Sequence, residues 1–299
     1  MPFHDSQHDA ATAATTTEAA PCPARATDLR GLVAASRLEV LPLKNLSAAA
    51  SAAPRETTLT ITCSPKKGLD VTMRASEELA ARGFRVVPHI AARMVRDRDH
   101  LDEILSRAAR AGITDAFVPG GDAKHALGPY ASSLDLLRAM DERGHPFEQI
   151  GVAAYPEGHW LIDDDSLIEA LRQKQPYATY AVTQMCFSAD SLAAHLRRLG
   201  DEGIHLPIYA GVAGFVDRIK LATIAVKIGI GQSLRFLRHQ GSGAGSLFGT
   251  GEYDPTELIE GTLARLDHPA RLRGLHIYTF NQVAKTEAWR AEVMAREPA

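Results

Sequence analysis

The chain has 299 residues, 45% hydrophobic and 23% charged, enough to bury one large core or two ordinary ones. A formal net charge of -3 supplies no field that would draw the protein to nucleic acid or an anionic membrane, and no apolar run approaches the roughly 18 residues of a membrane helix. Three scattered cysteines, Cys22, Cys63 and Cys186, argue against a disulfide framework and for a reducing cytoplasm.

Residues 1–29 are Ala/Thr-rich, carry Asp5, Asp9 and Glu18, and lack the basic start and apolar core of a signal peptide, so they read as a loose tail. Arg37–Leu43 (RLEVLPL) reads as a first strand with Glu39 set between Leu38 and Val40, followed by a Ser/Ala-rich loop over 44–56. The β-branched stretch Thr57–Cys63 is a second strand, Val71–Arg82 a helix stopped at Gly83, and Phe84–Ala92 a third strand with His89 in its last half. Asp97–Ala111 places Leu101, Ile104, Leu105 and Ala108 on one helical face, with Asp97 or Asp99 to cap its start and Gly112 just past its end. Asp115–Val118 is a fourth strand running into Pro119-Gly120-Gly121-Asp122, and Ser133–Arg143 is a helix closed by Gly144.

Ile150–Ala154 is a charge-free apolar run, the pattern of a strand buried on both faces, and it stops abruptly at Tyr155-Pro156-Glu157-Gly158-His159. Asp165–Gln175 is its helix, with Asp163–Asp165 as cap candidates. Tyr180–Phe187 and Leu206–Val212 are the sixth and seventh strands, with a helix over Ser191–Leu199 between them. Helical spacing follows over Asp217–Val226 and Gln232–Arg238. The glycine-rich Gly241–Gly251 reads as a linker in preference to a lid. Pro255–Leu266 is helical, Leu275–Phe280 is an eighth strand, and Val283–Ala295 is a final helix. Eight strands alternating with helices, without a second compositional block, predict one (β/α)8 TIM barrel domain over residues 30–299. A doubly wound sheet is the alternative, and the count closing at eight favours the barrel.

In a barrel the C-terminal strand ends share one mouth, which here collects Glu39, Thr62, His89, Asp122, Tyr155, Glu157, His159, Gln184 and Asn281. So many hydrogen-bonding groups where packing would favour Val or Ile point to a site. Glu39, flanked by Leu38 and Val40, would lie in the barrel interior, where desolvation raises its pKa and keeps it available as a proton donor. Its structural alternative is a pair with a buried arginine or hydrogen bonds to backbone. Asp122 follows two glycines that let backbone approach a ligand, and could equally cap a turn. Gln184 offers an uncharged amide suited to a heterocycle edge, or could be a satisfied core amide. No His, Asp, Glu or Cys spacing has the signature of a metal site, so none is expected.

At these positions the chain resembles the methylenetetrahydrofolate reductase family. Ala153–His159 (AAYPEGH) is similar to that family's strand-five signature. Val182-Thr183-Gln184 with Phe187 is similar to its strand-six motif, and Pro88-His89 to its strand-three motif. Gly121-Asp122 with Tyr130-Ala131-Ser132 resembles its strand-four loop, and Ile277-Tyr278-Thr279 with Asn281 its last strand. The resemblance runs in matching order from about residue 30 to 290. It implies a barrel that binds tetrahydrofolate at the strand ends and reduces 5,10-methylenetetrahydrofolate to 5-methyltetrahydrofolate, as in methionine biosynthesis. Glu39 would be the general acid, Asp122 would contact the folate and tune the charge of the site, Gln184 would bind the pterin, and Tyr278 would join the substrate set.

The same resemblance implies FAD as hydride carrier, reloaded by NADH or NADPH and held by Thr62, His89, Gly121, Asp122, Tyr130, Ala131, Tyr155, His159 and Lys174. It also admits a homo-oligomer. The flavin pattern is incomplete here. Gly120 stands for an arginine, Leu167 and Ala170 for an acidic residue and an asparagine, Lys174 alone represents a basic cluster, and Arg218 stands for an aromatic. Val40-Leu41-Pro42 also replaces a Phe-Phe-Pro-Pro run. Two cofactor hypotheses follow: bound FAD, or hydride passed directly from the nicotinamide to the folate. A pterin-dependent methyltransferase and a catalytically silent folate-binding barrel are the competing functional readings.

Overall fold

Six of the eight strands are shorter than the runs that announced them, because the ladder ends where the chain turns to build the mouth; the fifth, Gln149–Ala154, and the eighth, Leu272–Tyr278, are each one residue longer. A computed structural model describes residues 28–159, 161–218, 221, 252–266 and 271–296. In chain order the elements are α1 (Leu29–Ala34), β1 (Arg37–Val40), α2 (Leu46–Ala50), β2 (Thr58–Ile61), α3 (Leu69–Ala81), β3 (Arg85–Pro88), α4 (Arg98–Arg110), β4 (Asp115–Phe117) and α5 (Ser133–Arg143). Next come β5 (Gln149–Ala154), α6 (Asp164–Lys174), β6 (Tyr180–Thr183), α7 (Ala189–Asp201), β7 (Ile208–Ala213), α8 (Thr256–Leu263), β8 (Leu272–Tyr278) and α9 (Val283–Ala295). A two-residue antiparallel ribbon joins Val216–Asp217 to Glu252–Tyr253.

The eight strands are parallel, and β8 pairs with β1 on one side and β7 on the other. The ring is completed between β3 and β4 by the parallel bridge His89↔Phe117 and the Ile90 N–H donating to the Phe117 carbonyl at 2.8 Å. This is the single-domain (β/α)8 barrel, not the doubly wound sheet. The 44–56 segment contains the helical turn α2 where a plain loop was expected, and α1 begins just inside the expected tail, capped by Asp28. The expected helix over 217–226 lies mostly, and that over 232–238, the Gly241–Gly251 loop and residues 1–27 wholly, outside the described residues. No helix among the described residues is long and apolar enough to cross a membrane.

The helices form where amphipathic spacing meets good caps. Asp97 accepts from the His100 N–H, and α4 turns Leu101, Ile104, Leu105 and Ala108 onto the barrel wall. Ser132 and Asp135 make a reciprocal capping box at the start of α5.

Alternation along the strands fills the barrel in levels. At the floor the Arg37 guanidinium lies between the Tyr180 and Tyr209 rings, 4.3 and 4.1 Å from their centroids, with Nη1 2.9 Å from Asp115 Oδ2. The Tyr180 hydroxyl donates to Asp115 Oδ1 at 2.7 Å. A Cβ on Gly151 would meet the Tyr180 ring at 2.3 Å, so only glycine leaves room for that ring to cross. Above the floor lies an apolar level containing Val87, Phe117 and Val182. The mouth sits above that.

Candidate active site

Glu39 and Arg37 are two residues apart on β1 and therefore share the inner face. Arg37 is bound into the floor, while Glu39 reaches the next level, its side chain 12% exposed. Register places Glu39 beside Tyr278 and Arg37 beside His276 on β8. His276 Nε2 lies 3.0 Å from Glu39 Oε2, and His89 Nε2, from the end of β3, lies 3.9 Å from the same oxygen. The partner of Glu39 is thus an imidazole and not the buried arginine considered as its structural alternative. Burial pushes the Glu39 carboxyl up to about 7, with His89 pulling weakly the other way. Burial also holds both imidazoles neutral, His89 near 4 and His276 near 3, the latter lowered further by Arg37.

Tyr278 continues the inner face toward the rim. Its hydroxyl lies 3.3 Å from the Thr183 carbonyl and 3.4 Å from Gln184 Oε1. That oxygen also accepts from the Met185 N–H at 3.1 Å, so the amide nitrogen of Gln184 is the end a ligand would meet. Glu39, His89, Tyr278 and Gln184 therefore come together at one level of the barrel. Asp122 is exposed at the rim. Gly121 before it has φ 89°, a left-handed conformation in which a Cβ would also press to 2.9 Å from Ala91. The charge of Asp122 acts on Tyr155 and His159, whose rings meet edge-on at 5.3 Å, and Tyr155 in turn acts on Tyr278. Asp122 thus lies at the rim near the Tyr155 and His159 rings.

Other expected site residues have different work. Glu157 Oε1 accepts from Cys186 Sγ at 3.0 Å and from the Phe187 and Ser188 N–H groups at 2.9 and 3.0 Å, clamping the loop after β6. Asn281, at φ 61°, accepts from the Leu41 N–H at 2.7 Å and donates to the Leu41 carbonyl at 3.0 Å, stitching the loop after β8 to the one after β1. Lys174 is the last residue of α6, which runs away from the mouth. Its backbone stands about 15 Å along the helix axis from Asp164, and the residue is buried. It belongs to the far end of the barrel, away from the other expected cofactor contacts.

That placement decides how well the residues suit FAD. Thr62, Tyr155 and His159 follow the C-terminal ends of β2 and β5, and Tyr130 is buried just before α5, but a flavin dinucleotide brings a diphosphate that needs cations or free N–H donors. Lys174 stands at the end of α6 farthest from β5. The Arg93 guanidinium donates Nε to the Ala131 carbonyl at 2.8 Å and Nη1 to the Ala123 carbonyl at 3.3 Å, holding the loop after β4. The start of α6 presents Asp163, Asp164 and Asp165. This donor set does not fit the phosphates of a tightly held FAD.

Glu39, His89 and His276 bring one ligand atom each within 4.8 Å of one another, a grouping that periodicity did not reveal. A ligating imidazole ordinarily donates its second nitrogen to an acceptor, whereas His276 Nδ1 is buried without a partner among the described residues. The cluster reads as proton-handling.

A family model described as methylenetetrahydrofolate reductase matches residues 44–235, well over half of the 299. The chain belongs to the methylenetetrahydrofolate reductase family. Glu39 and His276 lie outside that matched span, so their roles are argued from geometry. Methylenetetrahydrofolate reductase 1 of Schizosaccharomyces pombe is 33% identical over 105 residues, covering 32% of this chain and 17% of that protein. Two solved structures from Burkholderia cenocepacia overlay loosely. One, titled a lyase or mutase, has a TM-score of 0.47 at 15% identity and covers 88% of this chain and 82% of its own. The other, titled a phosphonomutase, has a TM-score of 0.42 at 11% identity and covers 86% and 92%. At that distance neither overlay speaks to chemistry.

Proposed function

We propose that the protein reduces 5,10-methylenetetrahydrofolate to 5-methyltetrahydrofolate, with Glu39 as general acid and a reduced nicotinamide as direct hydride donor. The observation that carries this reading is a buried carboxyl at the mouth whose pKa of about 7 leaves it substantially protonated at neutral pH. The methylene bridge of the substrate is held by two nitrogens. A proton from Glu39 to the departing nitrogen breaks one C–N bond, and the other nitrogen's lone pair makes the carbon an electrophilic iminium. Hydride from the nicotinamide adds to that carbon, oxidising the dinucleotide and leaving a methyl group. The carboxylate then regains a proton from water, so one NAD(P)H and one proton are consumed per turnover.

The remaining residues support binding. The Gln184 amide suits the donor and acceptor edge of a pterin, Tyr278 stays a phenol and can flank it, and Asp122 at the rim favours a developing cation over an anion. The poor fit to the flavin phosphates favours direct transfer over a resident FAD. Deuteride from NADH labelled on the transferring face tests this: protein without FAD should place deuterium in the product methyl. Reduction that appears only on adding FAD overturns direct transfer. Glu39→Gln should keep tetrahydrofolate binding while reduction falls about 10²- to 10⁴-fold. Unchanged reduction removes Glu39 from the reaction, and binding without reduction by the wild type leaves a silent folate-binding barrel.

A further inference from the structure

Glu39 Oε2 is the oxygen toward which both buried imidazoles point, His276 Nε2 at 3.0 Å and His89 Nε2 at 3.9 Å. Only the first is a hydrogen bond. A neutral imidazole has one N–H and one bare nitrogen, so the tautomer of His276 determines the direction of that bond. His276 is 1% exposed, and its Nδ1 is buried with no partner among the described residues. A buried N–H without an acceptor is rarer than a buried acceptor without a donor, so the proton belongs on Nε2 and the bare lone pair on Nδ1. Three rings hold the imidazole in place: Tyr278 edge-on at 4.9 Å, His89 at 5.9 Å and Phe117 at 6.3 Å.

We propose that His276 is the positioning residue of the general acid: its Nε2–H occupies Glu39 Oε2 and thereby confines the transferable proton to Oε1. This rests on the role proposed above for Glu39. An acid whose proton sits on either oxygen presents it to the substrate only part of the time. An acid with one oxygen already accepting a hydrogen bond carries its proton on the other, the oxygen left for the substrate. The same bond steadies the carboxylate left after transfer. The other ionisable groups facing this pair are Arg37 on β1, His89 after β3, and Tyr278 on β8, with Tyr155 acting through Tyr278.

Three measurements test the assignment. In protein labelled with ¹⁵N-histidine, the spectrum of His276, assigned by its loss in a His276→Gln variant, should show the Nε2–H tautomer. An Nδ1–H tautomer overturns the proposal whatever the reaction proves to be. His276→Phe fills the volume without a donor, and His276→Gln places an amide N–H near the Nε2 position. In the reduction assay His276→Phe should lose about 10- to 100-fold in kcat with the folate KM unchanged. Its alkaline limb should move to higher pH, because the carboxylate has lost a donor. His276→Gln should restore most of kcat and return the limb. Two variants equally impaired, or a His276→Phe profile that does not move, would make His276 a packing residue only. Wild-type turnover run alongside separates failure of this proposal from failure of the reductase reading.

Discussion

Glu39→Gln should change the pH dependence of stability by an amount the structure sets. The Glu39 carboxyl has an ordinary value of 4.5 and is raised by burial to about 7 in the folded chain. Below 4.5 both folded and unfolded chains hold this proton, and the group's contribution is at its most favourable. As pH rises the unfolded chain releases the proton first, so stability is lost until the folded carboxyl also ionises. With these two values the loss is on the order of 1 kcal/mol at about pH 5 and roughly 3 kcal/mol at about pH 8, so the two proteins should diverge by roughly 2–3 kcal/mol across that range. Glu39→Gln keeps the shape and removes the titration. The neutral imidazoles of His89 and His276 add their own pH dependence, but it is common to both proteins and cancels to first order in the difference. Urea unfolding of wild type and variant across this range should show the variant gaining on the wild type by that amount as pH rises. Parallel curves would mean the carboxyl is not held protonated by its burial, and the reasoning would fail.

Two further substitutions probe the frame. Arg37→Leu strands Asp115, whose other close partner is the Tyr180 hydroxyl, and should cost about 3–5 kcal/mol in urea unfolding, whereas a loss under about 1 kcal/mol would show the floor pair to be dispensable. Lys174 is lowered to about 8 by burial alone, so it destabilises the fold below that pH and progressively less as pH rises above it. Lys174→Met should therefore stabilise the protein at neutral pH by about 1–3 kcal/mol and leave the nicotinamide KM unchanged. A raised KM would return Lys174 to the cofactor site.

The barrel was legible because each strand is an apolar run ending at Pro, Gly or a polar cluster, and because the count closes at eight. Glu39 stood out for the same reason, a carboxylate between Leu38 and Val40 with no place on an outer face. Its neighbours did not. His276 lies two residues before Tyr278 and Arg37 two before Glu39, so the period of two put both on the inner face. Alternation gives the face, however, and not the level, and nothing local distinguishes a floor residue from one at the mouth. Lys174 was read as a cofactor contact by motif, whereas topology places it on the last turn of a helix that leaves the mouth. Asn281 and Glu157 read as ligand contacts because polarity at a strand end cannot separate a group that meets substrate from one that ties two loops together.

The most direct measurement is the pH dependence of kcat for reduction of methylenetetrahydrofolate by NADH in protein without FAD. A single carboxylic acid at Glu39 predicts activity that is full on the acid side and declines with an apparent pKa of about 7, a limb that disappears in the residual activity of Glu39→Gln. A profile flat through that region, or the same limb in the variant, would place the proton donor elsewhere.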